Sequence, residues 1–412
     1  MNNQLSRNII LVDIPQRRSD LLPLSYTRPV ADFRIGITTI REKWEALLPG
    51  HYSYLTVDYL APRYGVCPEI DSLFVAGNVI PSEEIVEAVV ALTPGKALYI
   101  KDEFVAYKGE IDAFRALFID AKAAGPENED RITRDIPCDA LHYIYDVFLL
   151  NGKVLEDDYR RLTAGRQSQP LSPTNTLIGP AVRPDGLPSV FIEEGASVEG
   201  AVINVKEGPV YVGRDAEIME GACIRGALAL LDHSRINMGA KIYGPTTIGP
   251  ICKMGGEINN CVIFGYSNKA HDGFIGNAVI GEWCNIGAGT NASNLKNDYT
   301  KIRLWNYPRR SFLRTDLQFC GLIMGDHSKI GVNCMLNTAT VLGVGVNLHG
   351  SGFPRNFVPS FSEGSPTSGF TDVSLSKFFD IAARVMARRD IRLSENDKAM
   401  FERIFAQAEQ YK

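Results

Sequence analysis

The chain has 412 residues, and its 43 lysines and arginines against 48 aspartates and glutamates give a formal net charge of −5. A hydrophobic share of 45% and a charged share of 22% are typical of folded globular proteins, and the length predicts two or three domains. A single small module is excluded, and the mildly acidic charge argues against a nucleic acid as the main partner.

Residues 1–165 predict an α/β domain. Apolar runs typical of strands alternate with charged stretches typical of helices, which favours a mainly parallel sheet flanked by helices. The strand candidates are residues 8–14, 52–59, 73–80 and 97–100, and the helix candidates are 40–48 and 82–92. Residues 166–189 are rich in proline, serine and glycine, and this composition predicts a linker.

Residues 190–352 repeat with a period of six. Each hexad begins with one large aliphatic residue, and glycine often occupies the second position. The fifth position, two residues before the next large aliphatic residue, is usually small. The aliphatic series is Val212, Ile218, Ile224, Leu230, Ile236, Ile242, Ile248 and Met254, then Phe274, Ile280 and Ile286, then Met324, Ile330, Leu336, Leu342 and Leu348. Three such hexads form one triangular coil, so the pattern predicts a β-helix. A β-sandwich with accidental spacing is the alternative.

Residues 353–412 predict a loop followed by two helices. Leu375, Phe378, Ala382 and Val385 recur at spacings of three and four, which is typical of an amphipathic helix, and 400–408 continue similarly. Because stacked coils leave open ends, we expect these helices to cap the last coil or to pack against a neighbouring subunit.

The chain contains no apolar stretch long enough to span a membrane, and its first apolar run is too short for a signal-peptide core. We therefore expect a cytoplasmic protein without a membrane partner. The eight cysteines are scattered singly, without the paired spacing of zinc or redox motifs, so we expect reduced thiols.

The hexad pattern resembles the left-handed parallel β-helix of the hexapeptide-repeat acyltransferases, over about residues 190–350. That resemblance implies the handedness, a homotrimer, and acyl-CoA bound between neighbouring coils.

The hexad cadence breaks at residues 265–276, Gly-Tyr-Ser-Asn-Lys-Ala-His-Asp-Gly-Phe-Ile-Gly. Irregular segments in a regular solenoid concentrate function, and a histidine in a polar setting can act as a general base. Composition alone also fits His271 as an ordinary surface-loop histidine.

With the later stretch Asn285-Ile-Gly-Ala-Gly-Thr-Asn-Ala-Ser-Asn294, this segment resembles the acetyltransferase half of the bifunctional enzymes that make UDP-N-acetylglucosamine. The resemblance implies that His271 is the general base for the amine of glucosamine 1-phosphate, and that Asn285 and Asn294 bind the sugar or position the amine. Phe274 and Leu295 stand where that family has tyrosines.

The same family holds the sugar phosphate with cations on the preceding coils, and the candidates here are Lys241, Lys253 and Lys269. Each of them is equally well explained as a solvated surface lysine. The insertion at 296–320 contains Lys301, Arg303, Arg309, Arg310 and Arg314 among Trp305, Tyr307 and Phe312. It either covers a coenzyme A phosphate or adenine, or forms a trimer contact arm.

Residues 22–36, Leu-Pro-Leu-Ser-Tyr-Thr-Arg-Pro-Val-Ala-Asp-Phe-Arg-Ile-Gly, resemble a segment of the sugar-phosphate nucleotidyltransferases. Three features depart from that family: residues 12–20 lack its glycine-rich loop, Val30 replaces a lysine, and Asn78 replaces the aspartate that binds magnesium.

Arginine binds phosphate in a bidentate manner, so we assign nucleotide binding to Arg17, Arg18, Arg28 and Arg34. The alternative is that these four are helix-surface or inter-domain arginines. The family resemblance implies Mg²⁺ for nucleotidyl transfer, and the sequence identifies no metal ligand.

The whole chain resembles a divergent bacterial group of bifunctional UDP-N-acetylglucosamine diphosphorylase/glucosamine-1-phosphate N-acetyltransferases, with an α/β nucleotidyltransferase-like (Rossmann-like) domain before the β-helix. The implied function is acetyl-CoA-dependent N-acetylation of glucosamine 1-phosphate followed by nucleotidyl transfer from a nucleoside triphosphate. Two alternatives stay open: a glucose-1-phosphate thymidylyltransferase or uridylyltransferase with an oligomerising β-helix, and a non-catalytic assembly or ligand-sensing protein.

Overall fold

The computed structural model describes residues 7–120 and 125–412, so residues 1–6 and 121–124 of the predicted first domain lie outside the described residues. Contacts divide the chain into two compact units. The first comprises Met1–Phe33 and Thr38–Tyr143, and the second comprises Arg34–Ile37 and Ile144–Lys412. The predicted boundaries 1–165, 166–189, 190–352 and 353–412 stay a prediction.

The first unit is an α/β structure whose strands alternate with short helices. Its strands are β1 (Arg7–Val12), β2 (Gly50–Leu55), β3 (Ser72–Ala76), β4 (Val79–Ile80), β5 (Ala97–Ile100), β6 (Glu103–Gly109), β7 (Arg131–Arg134) and β8 (Asp139–Ala140). Its helices are α1 (Pro15–Asp20), α2 (Ile40–Leu47), α3 (Glu83–Val90) and α4 (Ile111–Phe118).

Six of these strands form one sheet in the order β2-β1-β3-β6-β5-β7. Strand β1 runs parallel to β2 and β3, whereas β6 runs antiparallel to both β3 and β5. Strands β5 and β7 are again parallel, so three of the five pairings are parallel and the prediction of a mainly parallel sheet is confirmed, with β6 as the one antiparallel strand. Strand β6 is antiparallel to β5 because the two-residue connection Lys101–Asp102 is long enough for a hairpin and far too short for a parallel crossover.

The second unit contains one long helix, a stack of very short strands and two C-terminal helices. Its helices are α5 (Asp146–Thr163), α6 (Leu375–Ala387) and α7 (Glu395–Ala408). The first strands are β9 (Thr176–Ile178), β10 (Val190–Ile192), β11 (Ser197–Val198), β12 (Val202–Asn204), β13 (Val210–Val212), β14 (Glu217–Ile218), β15 (Cys223–Arg225), β16 (Leu228–Leu230), β17 (Arg235–Ile236), β18 (Lys241–Tyr243), β19 (Thr246–Ile248) and β20 (Lys253–Met254).

The remaining strands continue the stack to the C-terminal helices. They are β21 (Glu257–Gly265), β22 (Asn268–Lys269), β23 (Phe274–Glu282), β24 (Asn285–Ile286), β25 (Asn291–Ala292), β26 (Arg303–Asn306), β27 (Ser311–Arg314), β28 (Ile323–Met324), β29 (Lys329–Ile330), β30 (Met335–Leu336), β31 (Val341–Leu342), β32 (Asn347–Leu348), β33 (Phe357–Val358), β34 (Ser362–Ser365) and β35 (Gly369–Asp372).

Strands of successive coils pair in parallel and in register. In one sheet, Ile218 of β14 pairs with Ile236 of β17, which pairs with Met254 of β20, and all three are buried. The predicted hexad positions thus form an aliphatic column inside the coils. The fold class predicted from the sequence, an α/β unit and a β-helix with C-terminal helices, is confirmed.

The hexad register needs one correction, at Phe274. Ile258 pairs with Ile275, and Ile275 is 1% exposed, so Ile275 occupies the inward position and Phe274 lies outside it. The cause is a side of five residues instead of six: Ile275 and Ile280 are both inward, so counting six back from Ile280 reaches Phe274 instead of Ile275.

Parallel pairing extends beyond the segment in which the hexads are obvious. Strand β9, inside the predicted linker, pairs with β12, and β34, after residue 352, pairs with β32. Strand β35 then pairs with β34 in the antiparallel direction, which ends the parallel stack. Five of the eight cysteines, Cys252, Cys261, Cys284, Cys320 and Cys334, are buried thiols outside any disulfide, as predicted. In the part of the chain that the structure describes, no helix is both long and apolar enough to cross a membrane.

Candidate functional site

His271 lies on the turn between β22 and β23, and its residue is exposed. The backbone around it is fixed from several sides. The Asn237 side chain donates to the Ala270 carbonyl at 2.8 Å, the Gly289 amide donates to the Asp272 carbonyl at 2.8 Å, and the Phe274 amide donates to the side-chain oxygen of Asn291 at 2.9 Å. The result is a firmly held turn that presents one imidazole to solvent.

Glycine is required at two places against this turn. Gly273 has a φ of +120°, and a Cβ there would lie 2.1 Å from the Thr290 carbonyl oxygen. A Cβ on Gly256, in the preceding coil, would lie 2.8 Å from the His271 carbonyl oxygen. Neither backbone atom can move aside cheaply, so the two glycines let the coils approach closely enough to hold the histidine turn.

Lys269 points into the coil instead of toward solvent. It pairs with Met254, it is 1% exposed, and its ammonium donates to the His271 carbonyl oxygen. Burial lowers the pKa of Lys269 to about 8, and the nearby Asp272 carboxylate opposes that shift. Lys269 therefore contacts the backbone of the histidine turn, and its predicted role as a ligand for the sugar phosphate stays a prediction.

A row of polar residues crosses the sheet that leads to the histidine turn. Lys253 pairs in register with Asn268, Asn268 with Asn285, and Asn285 with Lys329. Adjacent strands are about 4.8 Å apart, so these residues are close neighbours. Two predicted site residues, Lys253 and Asn285, thus lie in one row on either side of Asn268, which is three residues before His271.

Asn294 and Lys241 lie elsewhere on the β-helix. The Asn294 amide donates to the side-chain oxygen of Asn277 at 2.8 Å, next to the insertion. Lys241 is exposed on β18 and lines a separate cavity together with Tyr243 and Glu257. The roles assigned to both residues stay predictions.

The insertion folds as a β-hairpin, with β26 antiparallel to β27. Trp305 stacks on Phe357 with ring centroids 4.2 Å apart, and Tyr307 packs edge-on against Tyr411 at 4.9 Å. Two of its aromatic side chains thus pack against the last coils and the C-terminal end. Neither predicted role of the insertion, coenzyme A cover or trimer arm, is decided by these contacts.

In the first unit, a charged cluster gathers around Glu103. Arg17 donates to Glu103 at 2.8 Å, Asn78 donates to it at 2.9 Å, and the His142 ring nitrogen lies 3.0 Å from it. Glu103 is partly desolvated, but these three partners together hold the pKa of its carboxyl group at about 2. Arg17 and Asn78 were singled out from the sequence, whereas Glu103 and His142 were not.

The other three predicted nucleotide-binding arginines are not gathered with Arg17. Arg18 is buried, lies 3.5 Å from the Asp13 carboxylate and donates to Tyr59 at 2.7 Å. Arg28 is 5% exposed and donates to Thr27 at 3.4 Å. Arg34 belongs to the second unit, where it donates to the carbonyls of Ile37 at 2.8 Å and Phe264 at 3.2 Å.

The residues around Asn78 do not fit a magnesium site. Mg²⁺ requires carboxylate oxygens in near-octahedral geometry, and Glu103 is already occupied by an arginine, an amide and an imidazole. Within residues 7–120 and 125–412, no group of three or more histidine, cysteine, aspartate or glutamate side chains is placed to hold a metal ion.

Residues 9–167 match the family described as sugar nucleotidyl transferase. A "Bifunctional protein GlmU" of Trichodesmium erythraeum is 28% identical over 143 residues, which are 34% of this chain and 25% of that protein. The GlmU of Synechococcus elongatus is 24% identical over 168 residues, 39% of this chain and 33% of that protein. The matched segments thus span about a quarter to a third of these curated relatives.

Among solved structures, a UDP-N-acetylglucosamine acyltransferase of Francisella novicida aligns at a TM-score of 0.28 and 14% identity, over 59% of this chain and 76% of that one. AntD, a Bacillus cereus N-acyltransferase in complex with dTDP and 3-hydroxybutyryl-CoA, aligns at a TM-score of 0.25 and 14% identity. The alignment covers 49% of this chain and 89% of that one. These values are too low to support a shared activity. The family and GlmU matches confirm the resemblance to a divergent GlmU-like family, and they support a transferase.

Proposed function

We propose that this GlmU-like transferase acts in sugar-nucleotide biosynthesis, with the β-helix transferring an acetyl group from acetyl-CoA to the amine of glucosamine 1-phosphate. The observation that carries this proposal is the exposed His271 on a turn whose backbone is bonded from neighbouring coils. A positioned imidazole near neutral pH is suited to accept a proton during attack on a thioester.

In the proposed reaction, the His271 imidazole takes the proton from the sugar amine as the amine nitrogen bonds to the acetyl carbon. The carbon–sulfur bond then breaks, and coenzyme A leaves as a thiol with a proton returned to its sulfur. A backbone N–H stabilises the negative oxygen that develops in between. Asn285, in the polar row next to the turn, orients the sugar through its amide.

We further propose that the first unit transfers a nucleotidyl group from UTP to the resulting N-acetylglucosamine 1-phosphate. An oxygen of the sugar phosphate attacks the α-phosphorus, pyrophosphate leaves, and the product is UDP-N-acetylglucosamine. Support comes from the family match over residues 9–167 and from Arg17, which is partly exposed beside Asn78 and Glu103. Its guanidinium can neutralise triphosphate charge.

A second candidate for the first unit is nucleotide or sugar-phosphate binding without turnover. It is favoured by the buried Asp13–Arg18 pair and by Glu103, whose carboxylate is already bound by three side chains. Calorimetric titration of UTP, together with mass analysis of products, separates the two: heat of binding without pyrophosphate release identifies a binding unit.

We also propose a cytoplasmic homotrimer. The location is supported by the five buried cysteines that form no disulfide, which suit a reducing compartment. The trimer is supported by the resemblance to trimeric acyltransferases and by the exposed apolar side chains Met238 and Val332 on the β-helix, which are 71% and 64% exposed. Light scattering of the purified chain gives the subunit number.

The proposed acetyl transfer is tested with His271→Ala. Removing a general base lowers the rate by roughly 10²- to 10⁴-fold, while the circular dichroism spectrum and the unfolding midpoint should stay unchanged. The matched control is His233→Ala, because His233 is also an exposed histidine at a coil corner, 3.6 Å from the Asp215 carboxylate. An undiminished rate in His271→Ala would reject the role of His271.

A further inference from the structure

A cavity of about 280 Å³ lies where the polar row meets the end of α6. Its wall includes Asn268 and Asn285 from the β-helix and Arg388 and Arg389 after α6. Lys329 also lines it, and among the lining residues that the structure describes there is no acidic side chain. The cavity therefore concentrates positive charge beside a residue of the proposed sugar site.

Arg389 is incompletely bonded in this wall. Its terminal nitrogen reaches the Asn268 side-chain oxygen only at 3.5 Å, and its Nε is buried without a hydrogen-bond partner among the described residues. A buried guanidinium donor that lacks an acceptor is costly, and an anion in the cavity would supply that acceptor.

Two lysines lie near these arginines. Partial burial lowers the pKa of Lys253, and the charges of Arg389, Arg235 and Arg388 lower it further. The Lys329 ammonium is used by the carbonyls of Trp283 and His327, at 2.7 and 2.8 Å. The two arginines after α6 are thus the cations of this cavity whose side chains are best suited to an added ligand.

We propose that Arg388 and Arg389 bind the phosphate of the acceptor, a role that rests on the proposed acetyl transfer to a sugar 1-phosphate. Of the three lysines predicted for this task, Lys269 bonds its amine to the His271 turn and Lys241 lies at a different cavity. Asn285 lines the arginine cavity, and Asn268 on its wall is three residues before His271. The phosphate end of the sugar then contacts the arginines while its amine faces the imidazole.

The stacked rings of Tyr266 and Trp283 form another part of the wall, with centroids 4.2 Å apart and an angle of 13° between them. They offer a flat, uncharged surface beside the cations. Arginine matches phosphate through two parallel N–H donors, which gives the site a preference for phosphorylated over unphosphorylated sugars.

The test uses the full-length chain and the double variant R388Q/R389Q, with Arg384→Gln as the control because Arg384 is an exposed arginine one turn earlier on α6. We expect the double variant to raise the KM for glucosamine 1-phosphate at least tenfold, to leave the KM for acetyl-CoA within twofold, and to leave kcat within threefold. An unchanged KM for the sugar phosphate would overturn the proposal.

Acetyl-CoA carries phosphate as well, so the assay is repeated with acetyl-dephospho-CoA. If the double variant raises the KM for acetyl-CoA and not for acetyl-dephospho-CoA, the arginines bind the cosubstrate and the assignment to the sugar is wrong. If the double variant raises the KM for glucosamine 1-phosphate and leaves the KM for both forms of acetyl-CoA unchanged, the assignment to the sugar is supported.

Calorimetry separates this inference from the proposed function. If the unmodified protein transfers no acetyl group, the proposed function fails. Calorimetric titration with glucosamine 1-phosphate and with inorganic phosphate still measures whether Arg388 and Arg389 bind phosphate. Binding that is present in the unmodified protein and in Arg384→Gln, and lost in R388Q/R389Q, supports the phosphate site. Absent binding, or equal binding in all three proteins, overturns it.

Discussion

Replacing Lys269 by methionine tests how the β-helix holds its histidine turn. Lys269 occupies an inward position in register with Met254, so methionine continues the apolar column with a side chain of similar length. The substitution removes a buried charge and also removes the donor to the His271 carbonyl. These two effects act on stability in opposite directions.

The pKa of Lys269 gives the size of the first effect. It falls from 10.5 to about 8, and each unit corresponds to about 1.4 kcal/mol, so burying the ammonium costs about 3 kcal/mol at pH 7. A charged hydrogen bond of the lost kind contributes about 1.5–3 kcal/mol. The two nearly cancel, so we expect the free energy of unfolding of Lys269→Met at pH 7 to lie within about 1.5 kcal/mol of the original.

The pH dependence separates the two effects. Because the folded pKa lies below the unfolded one, the cost is fully present below pH 8 and disappears as pH rises from about 8 to 10.5. The original protein should therefore gain about 3 kcal/mol relative to Lys269→Met across that window. Acetyl transfer should fall by roughly 10- to 100-fold, because the turn loses one of its fixed contacts.

The assay is urea unfolding followed by circular dichroism at pH 7, 8, 9.5 and 10.5, with Lys241→Met as a control because Lys241 is an exposed lysine of a neighbouring sheet. A constant stability difference between the original and Lys269→Met over this range would refute the buried-charge reasoning. A loss well above 3 kcal/mol at pH 7 would refute it as well.

Three further results are expected. Gly273→Ala should destabilise the β-helix by at least about 2 kcal/mol in urea unfolding and abolish acetyl transfer. The reason is that Gly273 has a φ of +120° and that a Cβ there would lie 2.1 Å from the Thr290 carbonyl oxygen. Gly265→Ala is the control and should have little effect, because a Cβ on Gly265 would lie 3.5 Å from its nearest neighbour. Glu103→Gln should cost the first unit about 1–2 kcal/mol at pH 7, and this loss should fade as pH falls from 4.5 to 2, where the original carboxyl group becomes protonated; a loss that persists at pH 2 would contradict the ion-pair account. Asn285→Ala should raise the KM for glucosamine 1-phosphate more than the KM for acetyl-CoA, and an equal rise in both would argue against a sugar contact.

Much of the β-helix could be predicted because its signal is local and repeated. Every coil needs an inward aliphatic residue, so Ile236, Ile242 and Ile248 appear at six-residue intervals and are buried. The inward position of Lys269 could also have been predicted from the sequence. Ile263 is buried, and counting six residues onward from it reaches Lys269. Counting from Met254 instead misses it, because Lys269 pairs with Met254 after only fifteen residues, three fewer than three hexads.

The charged clusters could not be predicted from local spacing. Glu103 and His142 are 39 residues apart, and Glu103 and Arg17 are 86 residues apart, so only the folded sheet brings them together. Arg388 and Arg389 meet Asn268 across more than a hundred residues for the same reason. The helical spacing of residues after 375 predicted a helix but gave no indication of which coil it contacts.

The mixed sheet of the first unit shows a different limit. Strand β5 was predicted at its observed bounds, but β6 was not recognised, since its sequence Glu-Phe-Val-Ala-Tyr-Lys-Gly has no strict alternation. Without β6 there was no hairpin, so the two antiparallel pairings of the sheet were not predicted. Strand direction depends on the length of each connection, so one missed strand changes the topology.

The central claim is acetyl transfer at His271, and one measurement tests it most directly. The purified chain and His271→Ala are each incubated with acetyl-CoA and glucosamine 1-phosphate, then with UTP, and the products are identified by mass. The account predicts N-acetylglucosamine 1-phosphate with the original chain, followed by UDP-N-acetylglucosamine if the first unit is active, and almost no acetylated product with His271→Ala. Equal acetylation by both proteins, or none by the original chain, would contradict it.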